Sequence, residues 1–356
     1  MIDSLYTAMI FITVLSSIIT LVIMVSFKLL SRHDRLCFEI AFVLVVICTL
    51  LEWAQVRSDG RLLSCIWIHY LIVTIEFALS PTISFIFVYA IRPQTPHKAM
   101  SVIPVINFIL LMLNLRFRFI FYIDADGFYY RGKFVIIYAV VLGISIIYLF
   151  TGLILLSRDY HSYNIDAAIA VTAFMVLGIA VQLYDRKYMV DWPVITLSSI
   201  MILVFYSSLV SQSDEMTHLL NRNKYEMDCR RLDKKACFIT FDINDFKMVN
   251  DLNGHSFGDR VLRRTADELI EVFGPYGRIY RIGGDEFCAV LIKNPENAEA
   301  LIREFNGKIT AVTIDGTPLP TVSTGYAEFD PEKDTVESVS ALADKYMYRH
   351  KENKYN

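Results

Sequence analysis

The chain has 356 residues, a formal net charge of −3 and a mean hydropathy of +0.43. That hydropathy argues against a wholly soluble globular protein, and the weak net charge offers no basis for a nucleic-acid partner. Residues 1–211 hold 14 Lys/Arg and 12 Asp/Glu, whereas the shorter stretch 212–356 holds 20 and 25. A domain boundary is therefore placed at 211/212.

Seven apolar stretches in the first part read as candidate bilayer-spanning helices: about 7–30, 36–55, 62–91, 100–115, 134–157, 165–184 and 191–211. The third, at ~1.5 Å per residue, makes roughly 45 Å of helix, more than a simple span needs. Splitting it at Pro81 leaves a piece too short to cross, so one helix, kinked or tilted near Pro81, is expected. An all-α transmembrane bundle follows, with its two ends on opposite sides of a lipid bilayer. The N-terminus is not expected to be a cleaved signal peptide, since no basic residue precedes the apolar run and that run is long.

Loop charge does not settle the orientation. With the C-terminus inside, Lys28, Arg32, Arg35, Arg92, Lys98 and Arg158 lie in inner loops. Arg57, Arg61, Arg116, Arg118, Arg131, Lys133, Arg186 and Lys187 lie in outer ones, slightly against the positive-inside tendency. Glu52 and Glu76 fall in apolar spans, where an ionisable group is costly; each is either part of a ligand or coupling site or a carboxyl paired inside the bundle. The aromatic segment 117–133 is either the mouth of a site for an unidentified sensed ligand or an interfacial belt. No internal repeat or pair of interrupted helices suggests a carrier. Cys37, Cys48, Cys65, Cys229, Cys237 and Cys288 lack metal-ligand spacing and read as buried free thiols.

From 214 onward, apolar strands alternate with amphipathic helices. Strands are expected at 236–241, 278–282, 287–292, near 308–314, and at 321–329. Helices are expected at 257–273, about 296–306, and 335–351. The arrangement predicts an α+β domain, with helices packed on an antiparallel sheet. Asp242 lies just past a buried strand, and Asp285 lies in the turn Gly283-Gly284-Asp285-Glu286. If those strands are neighbours, two carboxylates converge at one sheet edge. Hard oxygen ligands of this kind suit Mg²⁺, which takes one or two carboxylates together with substrate phosphates. Gly283 and Gly284 lack a Cβ and allow phosphate to approach the backbone.

These residues resemble the GGDEF family of diguanylate cyclases. Gly283-Gly284-Asp285-Glu286-Phe287 is similar to the family signature. Asp242 to Asp251, with Gly254-His255 and Gly258-Asp259, resembles its DxDxFKxxND…GHxxGD block. Asp214 to Arg222 is similar to the DxLTGLxNR opening, Thr321 to Tyr326 to the TxSxG strand, and Ala343 to Tyr348 to the closing ADxALY helix. The blocks run in order through nearly all of 214–356, and they imply a nucleotidyl-cyclase-like fold.

The resemblance implies that Asp242 and the Ile243 carbonyl ligate Mg²⁺, two ions per site with Mn²⁺ as a substitute. It makes Asp285 a metal ligand and the base toward a ribose 3′-hydroxyl, with Glu286 supporting the second metal. Lys247 and Lys351 contact phosphate, and Asn250, His255 and Asp259 lie at the guanine of GTP. A carboxylate at 259 accepts from guanine N1–H and the exocyclic amine, a pair of donors adenine does not present.

Three departures stand out. His218 occupies a usual Gly position, and Tyr355 occupies a usual Arg position, with Lys354 as a substitute. Gly274 and Gly277 stand where many relatives carry the Arg and Asp of an inhibitory product site. The expected function is a membrane-bound, homodimeric diguanylate cyclase joining two GTP into cyclic di-GMP. The alternatives are an inactive GGDEF nucleotide receptor or scaffold, and a transporter with a regulatory nucleotide domain.

Overall fold

A computed structural model describes residues 2–26, 30–60, 66–93, 100–160, 165–184 and 190–355. Lys28, Arg61, Cys65, Lys98, Arg186 and Lys187 lie outside those residues, as do the side chains of Lys354 and Tyr355. The chain divides into two compact units, Met1–Leu209 and Val210–Asn356.

Among the described residues, the first unit contains seven helices: α1 (Ile2–Ser26), α2 (Arg32–Ser58), α3 (Ile66–Ile91), α4 (Val102–Phe117), α5 (Val135–Asp159), α6 (Ile165–Tyr184) and α7 (Asp191–Gln212), the last running into the second unit. Five of these, α1, α2, α3, α5 and α7, are long and apolar enough to cross a bilayer; α4 and the apolar part of α6 are shorter. Pro81 sits inside α3 as one continuous helix. Large apolar side chains such as Phe11, Ile136, Ile147 and Val204 point outward, which water would penalise.

The segment after α4 is a hairpin, which hydropathy alone did not disclose. Strand β1 (Phe121–Ile123) pairs antiparallel with β2 (Tyr129–Arg131). Helices strap it down through polar groups. Asn114 Oδ1 on α4 accepts the Ile120 and Phe121 amides at 2.7 and 3.2 Å. The Tyr70 hydroxyl on α3 accepts the Ile123 amide at 3.0 Å. Just past α2, Asp59 Oδ1 accepts the Tyr129 amide at 3.1 Å.

The second unit holds a five-stranded sheet. In chain order its parts are β3 (Leu220–Asn221), α8 (Arg222–Cys229), β4 (Ala236–Ile243), α9 (Phe246–Asn253), α10 (His255–Phe273), β5 (Gly277–Arg281), β6 (Glu286–Leu291), α11 (Ala298–Ala311), β7 (Thr313–Ile314), β8 (Thr317–Pro318), β9 (Val322–Phe329) and α12 (Val336–Tyr355). The strand order is β3-β5-β6-β4-β9. Strand β4 is buried at all eight residues and is paired on both sides. On one face Phe241, Phe273 and Phe305 pack ring against ring at centroid separations of 5.2–5.8 Å.

Three expectations are corrected. The sheet is mixed, because β3 pairs parallel with β5. Two residues carry no alternation to read, and β3 is placed by Asn221, whose side chain donates to the Ser211 and Ser213 carbonyls and accepts the Lys224 amide to cap α8. The strand expected near 308–314 is mostly helix: Phe305 and Ile309 are buried one turn apart, carrying α11 to Ala311. What remains is the β7–β8 hairpin, turned by Asp315 and Gly316 at φ of 52° and 80°, a two-residue loop with both centres left-handed. Helices α8 and α9 were not expected at all.

Strand β9 and helix α12 approach backbone to backbone at Gly325. A Cβ there would run into the Met347 amide nitrogen and the Ala343 carbonyl oxygen. Gly325→Val is expected to destabilise the C-terminal unit by about 1–3 kcal/mol through overpacking. Temperature-dependent proteolysis of the full chain reads this; an unshifted midpoint would contradict the close approach.

Candidate functional site

Strand β4 ends at the site. Asp242 is its penultimate residue, opposite Glu286 on β6 and Ser323 on β9. The Ile243 amide donates to the Asp285 carbonyl at 3.3 Å, closing the turn against the end of β4. The carboxylates of Asp242, Asp285 and Glu286 are thereby gathered at one sheet edge. Lys351, from the last turns of α12, pairs with Asp242 Oδ1.

Electrostatics reflect that gathering. The Asp285 carboxyl is raised above the ordinary aspartate range, by partial burial first and by the Asp242 charge second, against the counterpull of Lys351 and Arg281. Glu286 is raised as well, by burial and then by Asp242, Asp285 and Asp344. Glu286 and Asp344 both line a cavity of about 610 Å³ between the sheet and α12.

A Cβ at Gly283 would come within 2.6 Å of Glu286 Oε2, so the Glu286 side chain would have to shift. The Gly283 amide, like that of Ile282, donates to the Glu286 carbonyl. Gly284 is open on its Cβ side. Its carbonyl is held by Arg281, whose Nε and Nη2 donate at 3.2 and 2.7 Å. The same guanidinium donates to Asp214 Oδ1 at 2.8 Å, tying the opening motif to the signature turn. Burial pushes the Asp214 carboxyl up, but hydrogen bonds from Arg281 and Thr217 outweigh it, and the group ends below the ordinary range. Reading by motif missed Arg281. Its signal was available: an arginine two residues before a glycine pair reaches the turn's carbonyls.

The other expected residues form a second group on α9 and α10. Gly254, at φ 80°, ends α9 and starts α10. The Asn250 side chain lies so close to Gly258 that a Cβ at 258 would overlap its Oδ1. Asn250 and Asp259 are half-buried, whereas Lys247 and His255 are exposed. His218 has a φ of 58°, in the left-handed region, so its position is one that a glycine fills without strain.

Among the described residues, no three His, Cys, Asp or Glu side chains form a ready-made metal cage. Mg²⁺ does not need one, since it takes one or two carboxylates and completes its shell with water and substrate phosphates. Partial burial raises Asp285 and Glu286 first and the Asp242 charge raises both further, a balance that a cation seated there would relieve.

The sequence comparisons agree with this geometry. Residues 211–356 match the family described as "Diguanylate cyclase, GGDEF domain". The "Probable diguanylate cyclase DgcI" of Escherichia coli K12 is 32% identical over 143 residues, covering 39% of this chain and 31% of that protein. "Diguanylate cyclase DgcN" of the same strain is 34% identical over 150 residues, covering 39% and 36%. The chain thus spans about a third of the length of these curated relatives. Among solved structures, the GGDEF domain of DgcB from Caulobacter crescentus in complex with c-di-GMP matches at 26% identity. Its TM-score is 0.37, with 40% of this chain and 89% of that one covered. The C-terminal unit of this chain is a GGDEF domain.

Raised carboxyls make metal binding pH-dependent. Because Asp285 and Glu286 hold protons more tightly folded than unfolded, the metal-free domain loses stability as pH rises through their raised values. A divalent cation binds the ionised forms and offsets that loss. The rise in thermal midpoint on adding Mg²⁺ is therefore expected to be larger at about pH 8 than at about pH 5. An increment independent of pH would contradict carboxylate ligation at this site.

Proposed function

We propose that the chain is an active, membrane-bound diguanylate cyclase, condensing two GTP into cyclic di-GMP and two pyrophosphates. The observation that carries this reading is the convergence of Asp242, Asp285 and Glu286 at the end of a buried strand, with Lys351 from α12 against them. An inactive receptor or scaffold would have no need of all five signature residues together with Asp242, Lys247, Asn250 and Asp259.

The residues divide the work as follows. Asn250 and Asp259 select guanine. Lys247 and Lys351 draw in the phosphates and oppose charge developing on the transferred phosphoryl group. Asp285, its carboxyl raised toward the operating pH, takes the proton of the 3′-hydroxyl that attacks the α-phosphorus of the facing GTP. The P–O bond to pyrophosphate breaks as the new 3′-ester forms, and repetition in the opposite sense closes the ring. Asp242, Asp285 and Glu286, with the Ile243 carbonyl, would hold Mg²⁺, which would supply charge neutralisation on the phosphate oxygens. Each protomer holds one GTP, so two copies of the domain must face one another.

GTP places the C-terminal domain in the cytoplasm. The five apolar helices, with their outward-facing Phe, Ile and Val side chains, fit a lipid bilayer. The two shorter helices join them in a seven-helix sensor.

Asp285→Ala is expected to lower product formation at least 100-fold while leaving expression and thermal midpoint near those of the unmodified chain. Product analysis after incubation of the purified protein with GTP and Mg²⁺ decides it, and near-normal turnover would remove Asp285 from the chemistry.

Asp259→Ser replaces a pure acceptor by a hydroxyl that both donates and accepts. Mixed GTP/ATP products should become detectable. Unchanged discrimination against ATP would show that Asp259 does not read the base.

Feedback inhibition through the RxxD position is expected to be absent. Gly274 ends α10 and Gly277 opens β5, so neither offers a guanidinium or a carboxylate. Rebuilding the site at these positions is also blocked. A Cβ at Gly277 would run into the Val290 carbonyl and lie 2.8 Å from Leu291 Cα, and one at Gly274 would lie 2.5 Å from the Ile270 carbonyl. Initial rates should be insensitive to added cyclic di-GMP at micromolar levels, of order the affinity that Arg-mediated contacts would confer. Potent non-competitive inhibition would contradict this.

A further inference from the structure

Loop charge in the helical unit runs slightly against the positive-inside tendency, and three of the cations responsible lie together. Arg116 stands in the last turn of α4, Arg118 is the C-cap of that helix, and Lys133 stands two residues before α5. The chain between them doubles back. The Gly132 amide donates to the Ile120 carbonyl at 2.7 Å, and the Phe134 amide donates to the Phe119 carbonyl at 2.8 Å. The base of the hairpin therefore sets 118–120 against 132–134. All three cationic side chains are exposed, and among the described residues none of them makes a hydrogen bond or ion pair. The acids of the segment, Asp124 and Asp126, sit at the other end of the hairpin, where Asp124 Oδ1 accepts the Asp126 and Phe128 amides that close the turn.

The cations also terminate apolar surface. On α4, Val102, Val105, Ile109 and Met112 are exposed and recur at intervals of three and four, which is one face of a helix. Arg116 is the next residue of that series, with the exposed ring of Phe117 beside it. On α5, the exposed ring of the N-cap Phe134 leads into Ile136, Val140, Ile144 and Ile147, again exposed along one face. Two apolar stripes thus run away from one cationic end. Helix α4 has 16 residues, about 24 Å of helix against a hydrocarbon core of about 30 Å. A span this short meets the headgroups through its flanking residues, whose long cationic side chains extend to reach them.

We propose that the base of this hairpin binds the headgroup of an anionic phospholipid. The lipid phosphate lies among Arg116, Arg118 and Lys133, two guanidinium forks and one ammonium, and the acyl chains lie along the exposed stripes of α4 and α5. Phe117 and Phe134 sit at the level of the interface, where aromatic rings collect. Arg131 of the hairpin and Asp191, the first residue of α7, line one cavity, so the hairpin stands at the end of the unit where α7 begins. With the catalytic domain in the cytoplasm that end meets the outer leaflet, a placement that rests on the membrane-bound reading given above. Cations engaged by lipid phosphate on that side account for the contrary loop charge.

The full chain, purified in a nonionic detergent, is titrated with three probes. Dioleoylphosphatidylglycerol is the anionic lipid, dioleoylphosphatidylcholine carries the same chains on a net-neutral headgroup, and glycerol 3-phosphate carries the charge without chains. Thermal midpoints followed by tryptophan fluorescence read the helical unit, which holds Trp53, Trp67 and Trp192, and native mass spectrometry counts bound lipid. Half-saturation by phosphatidylglycerol is expected at a concentration about ten-fold or more below that of either other probe. The Arg116→Gln, Arg118→Gln, Lys133→Gln triple variant should bring it to within about two-fold of phosphatidylcholine. The Arg116→Lys, Arg118→Lys double variant retains the charge and should keep the preference. Lys133→Gln alone lies outside any helix and should weaken phosphatidylglycerol binding about three-fold or more, which keeps the test decisive if the triple variant does not fold. Equal response to the two lipids overturns the proposal. So does a preference that survives loss of the cations, or glycerol 3-phosphate binding as tightly as the lipid. Release of the chain from membranes by alkaline carbonate would overturn the membrane-bound reading and this site with it, whereas a chain that stays embedded yet shows no lipid preference overturns the site alone.

Discussion

Strand β4 is buried along its whole length and hydrogen-bonded on both edges, and the C-terminal site depends on that constraint. A strand enclosed this way tolerates charged groups only where it leaves the core. Asp242 sits at that exit, and the ladder with β6 brings Glu286 opposite it. The amide of Ile243 then holds the carbonyl of Asp285. Three carboxylates that would repel one another in water are thus fixed together by the free energy of packing Phe238, Ile239 and Phe241 in the core. Partial burial first, and the Asp242 charge second, hold Asp285 and Glu286 above their ordinary ranges.

Around this edge, the supporting contacts are made by main chain and arginine rather than by further acids. Arg281 grips the Gly284 carbonyl with two N–H groups and Asp214 with a third. One guanidinium so joins the start of the domain to its signature turn, a geometry a lysine lacks the fork to reproduce. Gly325 lets α12 approach β9 closely enough for Lys351 to reach Asp242. A Cβ at 325 would therefore disturb the site from its far side.

The helical unit places buried charge by the same means. Glu52 from α2, Glu76 from α3, Asp191 from α7 and Arg131 from the hairpin line one cavity, and the hairpin is tied by polar side chains to α3, α4 and the residue just past α2. In both units a packed scaffold holds like charges near one another.

The residues of the carboxylate edge were legible in the sequence. An unbroken apolar run ending in Asp242, and a Gly-Gly turn carrying Asp285 and Glu286, are local patterns. The helices of the first unit were legible too as apolar stretches, five of them long and apolar enough to cross a membrane. What sequence could not decide was everything that depends on distant partners. The two-residue β3 exists only because β5 lies beside it. Helix α11 runs past 308 because Phe305 and Ile309 find a common core. The 121–131 hairpin exists because Asn114 and Tyr70 on two helices, and Asp59 just past a third, supply hydrogen bonds. Glu52, Glu76, Arg131 and Asp191 are far apart in the chain, and only tertiary packing brings them to one cavity. Periodicity records which face of an element is buried; it does not record which other element covers that face.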